Sequence, residues 1–199
     1  MTSRDILLLT PDGAAASLAD HAGPTLVVQL VRYFGCLPCQ VYLRTMDRRA
    51  DELAAIGARP LAIGGSAAHQ ARWLRDTGVT MPLLLDPQQQ FRDWVGLGDL
   101  SARQMLSPVG LRRYAAAALS GVPIRRPTED VMRSPGIAIL DADLVLRWSY
   151  EGSSLGDYPP LDTVRRHARA LGRVASSSRG RGEEPRLGER MPCRGPSWL

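Results

Sequence analysis

Residues 25–56 read TLVVQLVRYFGCLPCQVYLRTMDRRADELAAI, and the reading of this stretch decides the fold. Thr25 to Val31 is apolar apart from Gln29, which predicts a buried strand, while from residue 37 to 56 the apolar positions recur at helical spacing. Cys36 and Cys39 sit where the strand hands over to the helix. Cys39, Leu43, Met46, Ala50 and Leu53 fall 4, 3, 4 and 3 residues apart, so Cys39 belongs to the buried stripe of the helix. Cys36, at the helix start, is then predicted to point outward. A thiol there faces unpaired backbone N–H groups and the positive end of the helix dipole, and both favour its thiolate. Pro38 stiffens the first turn without costing a hydrogen bond. The expected roles are therefore Cys36 as nucleophile and Cys39 as the resolving thiol that attacks the mixed disulfide.

Composition narrows the setting. A chain of 199 residues with 44% apolar content suits one globular domain. The formal charge of +5 comes from the end of the chain, because residues 165–199 carry nine arginines against three glutamates. The remainder is close to neutral, which argues against a basic nucleic-acid module. Every basic residue is arginine, a bias that fits a GC-rich, bacterial source. MTSRDILLLTPDG at the start has an apolar run of four closed by a turn, so it reads as a short strand rather than a signal peptide. No stretch approaches the ~20 apolar residues of a membrane span. The expectation is a cytoplasmic protein without a membrane partner. There a C-x-x-C is redox-active or metal-binding more readily than it is a structural disulfide. Zinc wants a second ligand pair, and Cys193, His21, His69 and His167 offer none at ligand spacing. Neither a metal nor a cofactor is expected, and two inert cysteines in a helix cap are the remaining reading of the pair.

The rest of the chain alternates. Residues 59–64 and 81–86 read as strands, and helices are expected over 66–77, with Ser66 as N-cap and Gly78 as stop, and from Pro87 to Gly96. Residues 111–119 read as a helix inside an irregular stretch, 99–134. GIAIL (136–140) and LVLRWSY (144–150) form a hairpin, and Pro159-Pro160 open a last helix through Leu161, Val164, Ala168 and Leu171. This order predicts an α/β fold in which residues 1–173 form one domain and the polar Arg/Gly/Pro-rich tail, 174–199, is disordered.

The order of strand, C-x-P-C, helix, late hairpin and closing helix resembles the thioredoxin fold. RYFGCLPC, MPLLLDPQQQFRDWVGLG, SPGIAILDADLVLRWSYEG and GDYPPLD, taken in sequence from about residue 25 to 165, resemble successive blocks of the peroxiredoxin-like branch of the alkyl hydroperoxide reductase and thiol-specific antioxidant superfamily. The resemblance implies a central mixed sheet flanked by helices, with a peroxiredoxin-type insertion before the late hairpin. It also implies a small-molecule or disulfide substrate, a thioredoxin-type or low-molecular-weight thiol as reductant, and a monomer or homodimer.

The departures from that pattern matter as much. True peroxiredoxins carry a Thr or Ser three residues before the peroxidatic Cys, a Pro seven before it and an Arg ahead of the late hairpin. Here those positions are Tyr33, Gln29 and Pro135. Pro135 matches instead the cis-proline that lies against the thioredoxin C-x-x-C, so Ser134-Pro135 is expected to be cis and to offer backbone to the substrate; a trans proline at a strand start is the plainer reading. The buried Asp that thioredoxins hold six residues before the first Cys is Leu30. Arg32 and Tyr33 are candidates for tuning Cys36. Arg112, Arg113, Arg125, Arg126 and Arg133 read as surface residues more readily than as an anion site. The expected activity is thiol-dependent reduction of a peroxide, endoperoxide or disulfide, slow with hydrogen peroxide because both activating donors are missing. Recruitment to a biosynthetic step and a non-catalytic binding role are the alternatives.

Overall fold

The computed structural model describes residues 2–127 and 131–179. Its strands are β1 (Leu8–Leu9), β2 (Ala15–Ala16), β3 (Thr25–Leu30), β4 (Ala58–Gly64), β5 (Leu83–Leu85), β6 (Gly136–Leu140) and β7 (Leu146–Glu151). They form one mixed sheet in the order β2-β1-β5-β4-β3-β6-β7. β3 pairs in parallel with β4 and antiparallel with β6. A strand with neighbours on both edges and helices on both faces is buried at every position, and β3 is. β7, at the edge, alternates half-buried and exposed residues instead.

The helices are α1 (Leu37–Arg48), α2 (Ala50–Ala54), α3 (Ala68–Asp76), α4 (Gln90–Val95), α5 (Ala102–Met105), α6 (Pro108–Ala118) and α7 (Leu161–Arg179). On one face of the sheet Val27 and Ile139 pack with Leu43 and Met46 of α1, Leu74 of α3 and Val164 and Ala168 of α7. On the other face Leu26, Val28 and Leu30 meet Phe91 and Val95 of α4 and Leu18 of the N-terminal segment. Each such buried side chain contributes about 1.5–3 kcal/mol.

Several boundaries differ from the sequence reading. The helix expected over 37–56 is two helices, because Arg49 leaves helical geometry at φ −105°, ψ 19°. α4 starts at Gln90 rather than Pro87, since the Asp86 carboxylate accepts the Gln90 and Phe91 N–H groups, at 2.9 Å each, and fixes the first turn there. α3 starts at Ala68 with Ala67, not Ser66, at the cap position. The irregular stretch holds an additional helix, α5, closed by a Ser101–Gln104 capping box. α7 runs five residues past Val174, the predicted domain boundary. Residues 180–199, including Cys193, lie outside the described residues.

Candidate redox site

The end of β3 and the start of α1 bring the cysteines together. Cys36 is the N-cap of α1, its N–H donating to the Tyr33 carbonyl at 3.0 Å and its carbonyl accepting the Gln40 N–H at 2.9 Å. Cys39 follows one turn later, and both are free thiols. The outward-facing Cys36 of the sequence reading is overturned, because both cysteines are fully buried. The cover comes from the insertion. The Arg32 guanidinium lies across Cys36 with Nη1 3.9 Å from Sγ, while Nε donates to the Arg133 carbonyl at 3.1 Å and Nη2 to Met105 Sδ at 3.1 Å. Gly35, where a Cβ would sit 2.8 Å from Arg125 Cβ, lets the same segment close over the loop.

Arg32 is itself buried, and no carboxylate pairs with it among the described residues. A buried cation is costly unless an anion compensates it. The compensating group is the cysteine pair, which titrates as one unit. Burial, and then the hydrogen bond to Cys39, push Cys36 well above the ordinary thiol range. Burial pushes Cys39 up as well. The hydrogen bond from Cys36, the Arg32 guanidinium and the Tyr158 hydroxyl outweigh it and bring Cys39 down to about 7. One thiol of the pair is held high and the other low, so the first charge belongs to the pair as a unit beside Arg32. Dipole stabilisation rests on a thiol open to the helix end, and here burial cancels it for Cys36.

Beneath the pair, Gln29 Nε2 donates to the Cys39 carbonyl at 3.1 Å, so the polar residue inside an apolar strand is spent on holding α1. Tyr158 stacks on Tyr42 with ring centroids 4.4 Å apart. Its single O–H donates to the Leu30 carbonyl at 3.2 Å, and the hydroxyl favours the neighbouring Cys39 thiolate. Burial and the neighbouring sulfurs raise the Tyr158 pKa strongly, keeping it protonated and a donor. Arg92 is a second buried guanidinium, donating to the Val31 carbonyl at 3.1 Å and the Ser134 carbonyl at 2.6 Å. Sequence reasoning passed over Gln29, Arg92 and Tyr158 as functional residues; the polar residue within β3 and the tyrosine of GDYPPLD were the visible signals.

The other residues singled out from the sequence are placed as follows. Tyr33 is buried beside the pair, its ring 5.9 Å from the Arg32 guanidinium carbon, and burial raises its hydroxyl pKa. Ser134 and Pro135 have their polar groups engaged with Gly98, Glu151 and Gly152. The Ser134 hydroxyl lies 2.8 Å from the Gly98 carbonyl and 2.9 Å from a Glu151 carboxylate oxygen, and the Pro135 carbonyl accepts the Gly152 N–H at 2.7 Å. No cis peptide bond occurs among the described residues, which corrects the expected cis Ser134-Pro135. The Ser134 carbonyl is captured by Arg92, and the chain enters β6 already extended. His167 stacks on Trp148 at 4.4 Å, and among the described residues no group of three or more His, Cys, Asp or Glu could hold a metal ion.

A cysteine pair at this strand-to-helix junction, on a sheet with this order, defines a protein of the thioredoxin-like fold. Residues 3–148 match the AhpC/TSA family, and the chain belongs to it. Among solved structures it is similar to the AhpC of Enterococcus faecalis, at 11% identity and a TM-score of 0.58, covering 90% of this chain and 91% of that one. Peroxiredoxin Q of Xanthomonas campestris matches at 14% identity and a TM-score of 0.57, covering 85% and 93%. The exposed lipoprotein thioredoxin Etrx1 of Streptococcus pneumoniae matches at 17% identity and a TM-score of 0.52, covering 83% and 98%. A comparison with curated protein sequences gives no match. Family and fold together support thiol-dependent reduction of a peroxide or disulfide. Among the described residues no helix is long and apolar enough to cross a membrane.

Proposed function

We propose that this protein is a thiol oxidoreductase in which Cys36 and Cys39 form the redox pair that reduces a peroxide, endoperoxide or disulfide. The observation that carries this reading is the buried Arg32 guanidinium, which lies 3.9 Å from Cys36 Sγ and has no carboxylate partner among the described residues. Cys39 is held from beneath by Gln29 and Tyr158, whereas Cys36 lies under the insertion and is the sulfur a substrate meets first. As Cys36 attacks, the proton it shares with Cys39 passes to Cys39 and the developing charge stays beside Arg32. A peroxide yields an alcohol and a Cys36 sulfenic acid; Cys39 then displaces water to close the disulfide. A disulfide substrate yields one thiol on attack and the second when Cys39 resolves the mixed disulfide. In either case two electrons leave the pair, and a dithiol donor returns them.

Arg32 also revises the expected peroxide rate. Two activating donors are missing by sequence position, but Arg32 brings a guanidinium to Cys36 from the other end of the site. Only the hydroxyl at position 33 has no counterpart, which leaves a deficit of ~3 kcal/mol, about a hundredfold, relative to a peroxiredoxin carrying both.

The reading is tested by oxidising the reduced protein with cumene hydroperoxide or a small disulfide and mapping the product by peptide mass. A Cys36–Cys39 disulfide, and loss of turnover in Cys36→Ser, are expected. An unreactive pair, or full turnover by Cys36→Ser, refutes the reading.

A further inference from the structure

Six of the eight large apolar side chains exposed among the described residues lie between residues 106 and 132. They fall on α6 and the segments flanking it, which also cover the cysteine pair. Leu106, Val109, Leu111, Leu119 and Ile124 are each about half exposed or more. Residues 100–127 contain five arginines and no acid. Arg103, Arg112 and Arg126 are exposed on that stretch. The nearest preceding acid, Asp99, is already paired with Arg133 at 3.1 Å, and the next acids in sequence, Glu129 and Asp130, lie outside the described residues. Beside α6 opens a cavity of about 570 Å³, walled by Leu106, Pro108 and Val109 and floored by Ser154 and Asp157. Its floor adjoins the redox motif, since a Cβ on Gly156 would lie 2.6 Å from Pro38 Cβ.

Leu106 and Val109 line this cavity with Arg103 and the Arg113–Asp157 ion pair, and Ile124 and Arg126 line a second cavity with His69 and Gln70. Exposed apolar side chains interleaved with arginines, in a stretch that holds no acid, have the anatomy of a protein-docking surface. Its position fits one partner chemically. Cys36 is buried under this segment through Arg32, Met105, Arg125 and Arg133, so any macromolecular thiol that reaches Cys36 meets this face first. Building on the redox function proposed above, we propose that the face of α5, α6 and the following turn docks the dithiol protein that returns electrons to the pair. That partner presents an acidic surface to Arg103, Arg112 and Arg126 and one apolar side chain to the cavity. Once docked, its thiolate attacks Cys36, forming an intermolecular disulfide and releasing Cys39 as the thiolate beside Tyr158. The partner's second thiol then attacks its own half of that disulfide. The partner leaves oxidised by two electrons, and Cys36 leaves as a thiolate that takes up a proton.

The test uses the full chain, oxidised to the Cys36–Cys39 disulfide, and follows its reduction by an acidic bacterial thioredoxin and by dithiothreitol. Arg103→Glu combined with Arg112→Glu, and separately Leu106→Ser, alter only exposed side chains. Each is expected to lower the rate constant with thioredoxin by about tenfold or more, and the wild-type rate should fall as salt rises. The rates with dithiothreitol should stay unchanged. Thioredoxin rates unaffected by both variants would overturn the proposal, as would a wild-type disulfide that thioredoxin leaves oxidised while dithiothreitol reduces it. So would sedimentation with anionic phospholipid vesicles that the arginine reversals abolish while thioredoxin rates hold, because the face would then belong to a lipid surface. Failure to form the disulfide at all would instead refute the redox function on which the proposal stands.

Discussion

Replacing Arg32 with methionine removes the cation that lies across the cysteine pair while keeping an unbranched side chain to fill its space. The guanidinium nitrogen stands 3.9 Å from Cys36 Sγ. At an effective dielectric constant of ~20 that separation gives a ceiling of about 4 kcal/mol, or ~3 pK units. Water entering the loosened cover will screen part of this, so a rise of ~1–3 units in the first ionisation of the pair is expected. Because Cys39 is held down to about 7, the wild-type protein should gain thiolate absorbance in the ultraviolet, and alkylation rate with iodoacetamide, as pH rises through that value. The reactive form is the anion, so both signals are lost on the acid side. In Arg32→Met the two midpoints should move together to higher pH, while Arg32→Lys, which keeps the charge, should stay closer to wild type. An unmoved midpoint in Arg32→Met would show that the pair does not compensate the guanidinium, and the electrostatic reading of the site would fail.

Tyr158→Phe removes a hydroxyl that favours the Cys39 thiolate and should raise the same midpoint, by about 1 unit, without loss of fold; an unchanged titration would remove Tyr158 from the site. Gly35→Ala sets a Cβ 2.7 Å from Gln70 Nε2 and 2.8 Å from Arg125 Cβ, in a loop where the Gly35 N–H already donates to Gln70 Oε1 at 2.7 Å. Overpacking of this kind costs ~1–3 kcal/mol, so thermal unfolding should start several degrees lower, and an unchanged Tm would mean that the cover yields freely. Deleting residues 180–199, which are poor in apolar side chains, is expected to leave both Tm and Cys36–Cys39 disulfide formation as they are. A drop in either would bring Cys193 or its neighbours into the cycle.

The parts of the site that are local in sequence were legible. A buried, mostly apolar strand, a proline in the first helical turn and a helical stripe containing Cys39 are properties of one continuous stretch, and the residue pattern reports them directly. What was not legible depends on groups far along the chain. Cys36 is buried because Met105 and Arg133 anchor Arg32 across it, contacts 73 and 101 residues away from the arginine. The dipole argument fails here for the same reason, since it holds for an open helix end and says nothing of a cover built from an insertion. Pro135 occupies the position of a cis-proline by alignment of blocks, but its geometry follows from Arg92, which takes the Ser134 carbonyl from 42 residues away. Tyr158 was visible only as a letter in a family block, because a phenol bonded to a carbonyl 128 residues back leaves no periodic trace.

The buried guanidinium also bears on the direction in which electrons prefer to move. Arg32 stabilises the reduced, anionic pair and offers nothing to the neutral disulfide, so it raises the reduction potential of the couple. Each 1.4 kcal/mol of preference for the reduced state amounts to ~30 mV. The dithiol is correspondingly a reluctant donor. Against an ordinary disulfide that shift subtracts directly from the driving force, whereas the cleavage of an O–O bond is so strongly downhill that the loss is immaterial. On the redox function proposed above, an arginine that keeps the pair ionised biases the protein toward strongly oxidising substrates and makes its disulfide easy for a thiol partner to reopen.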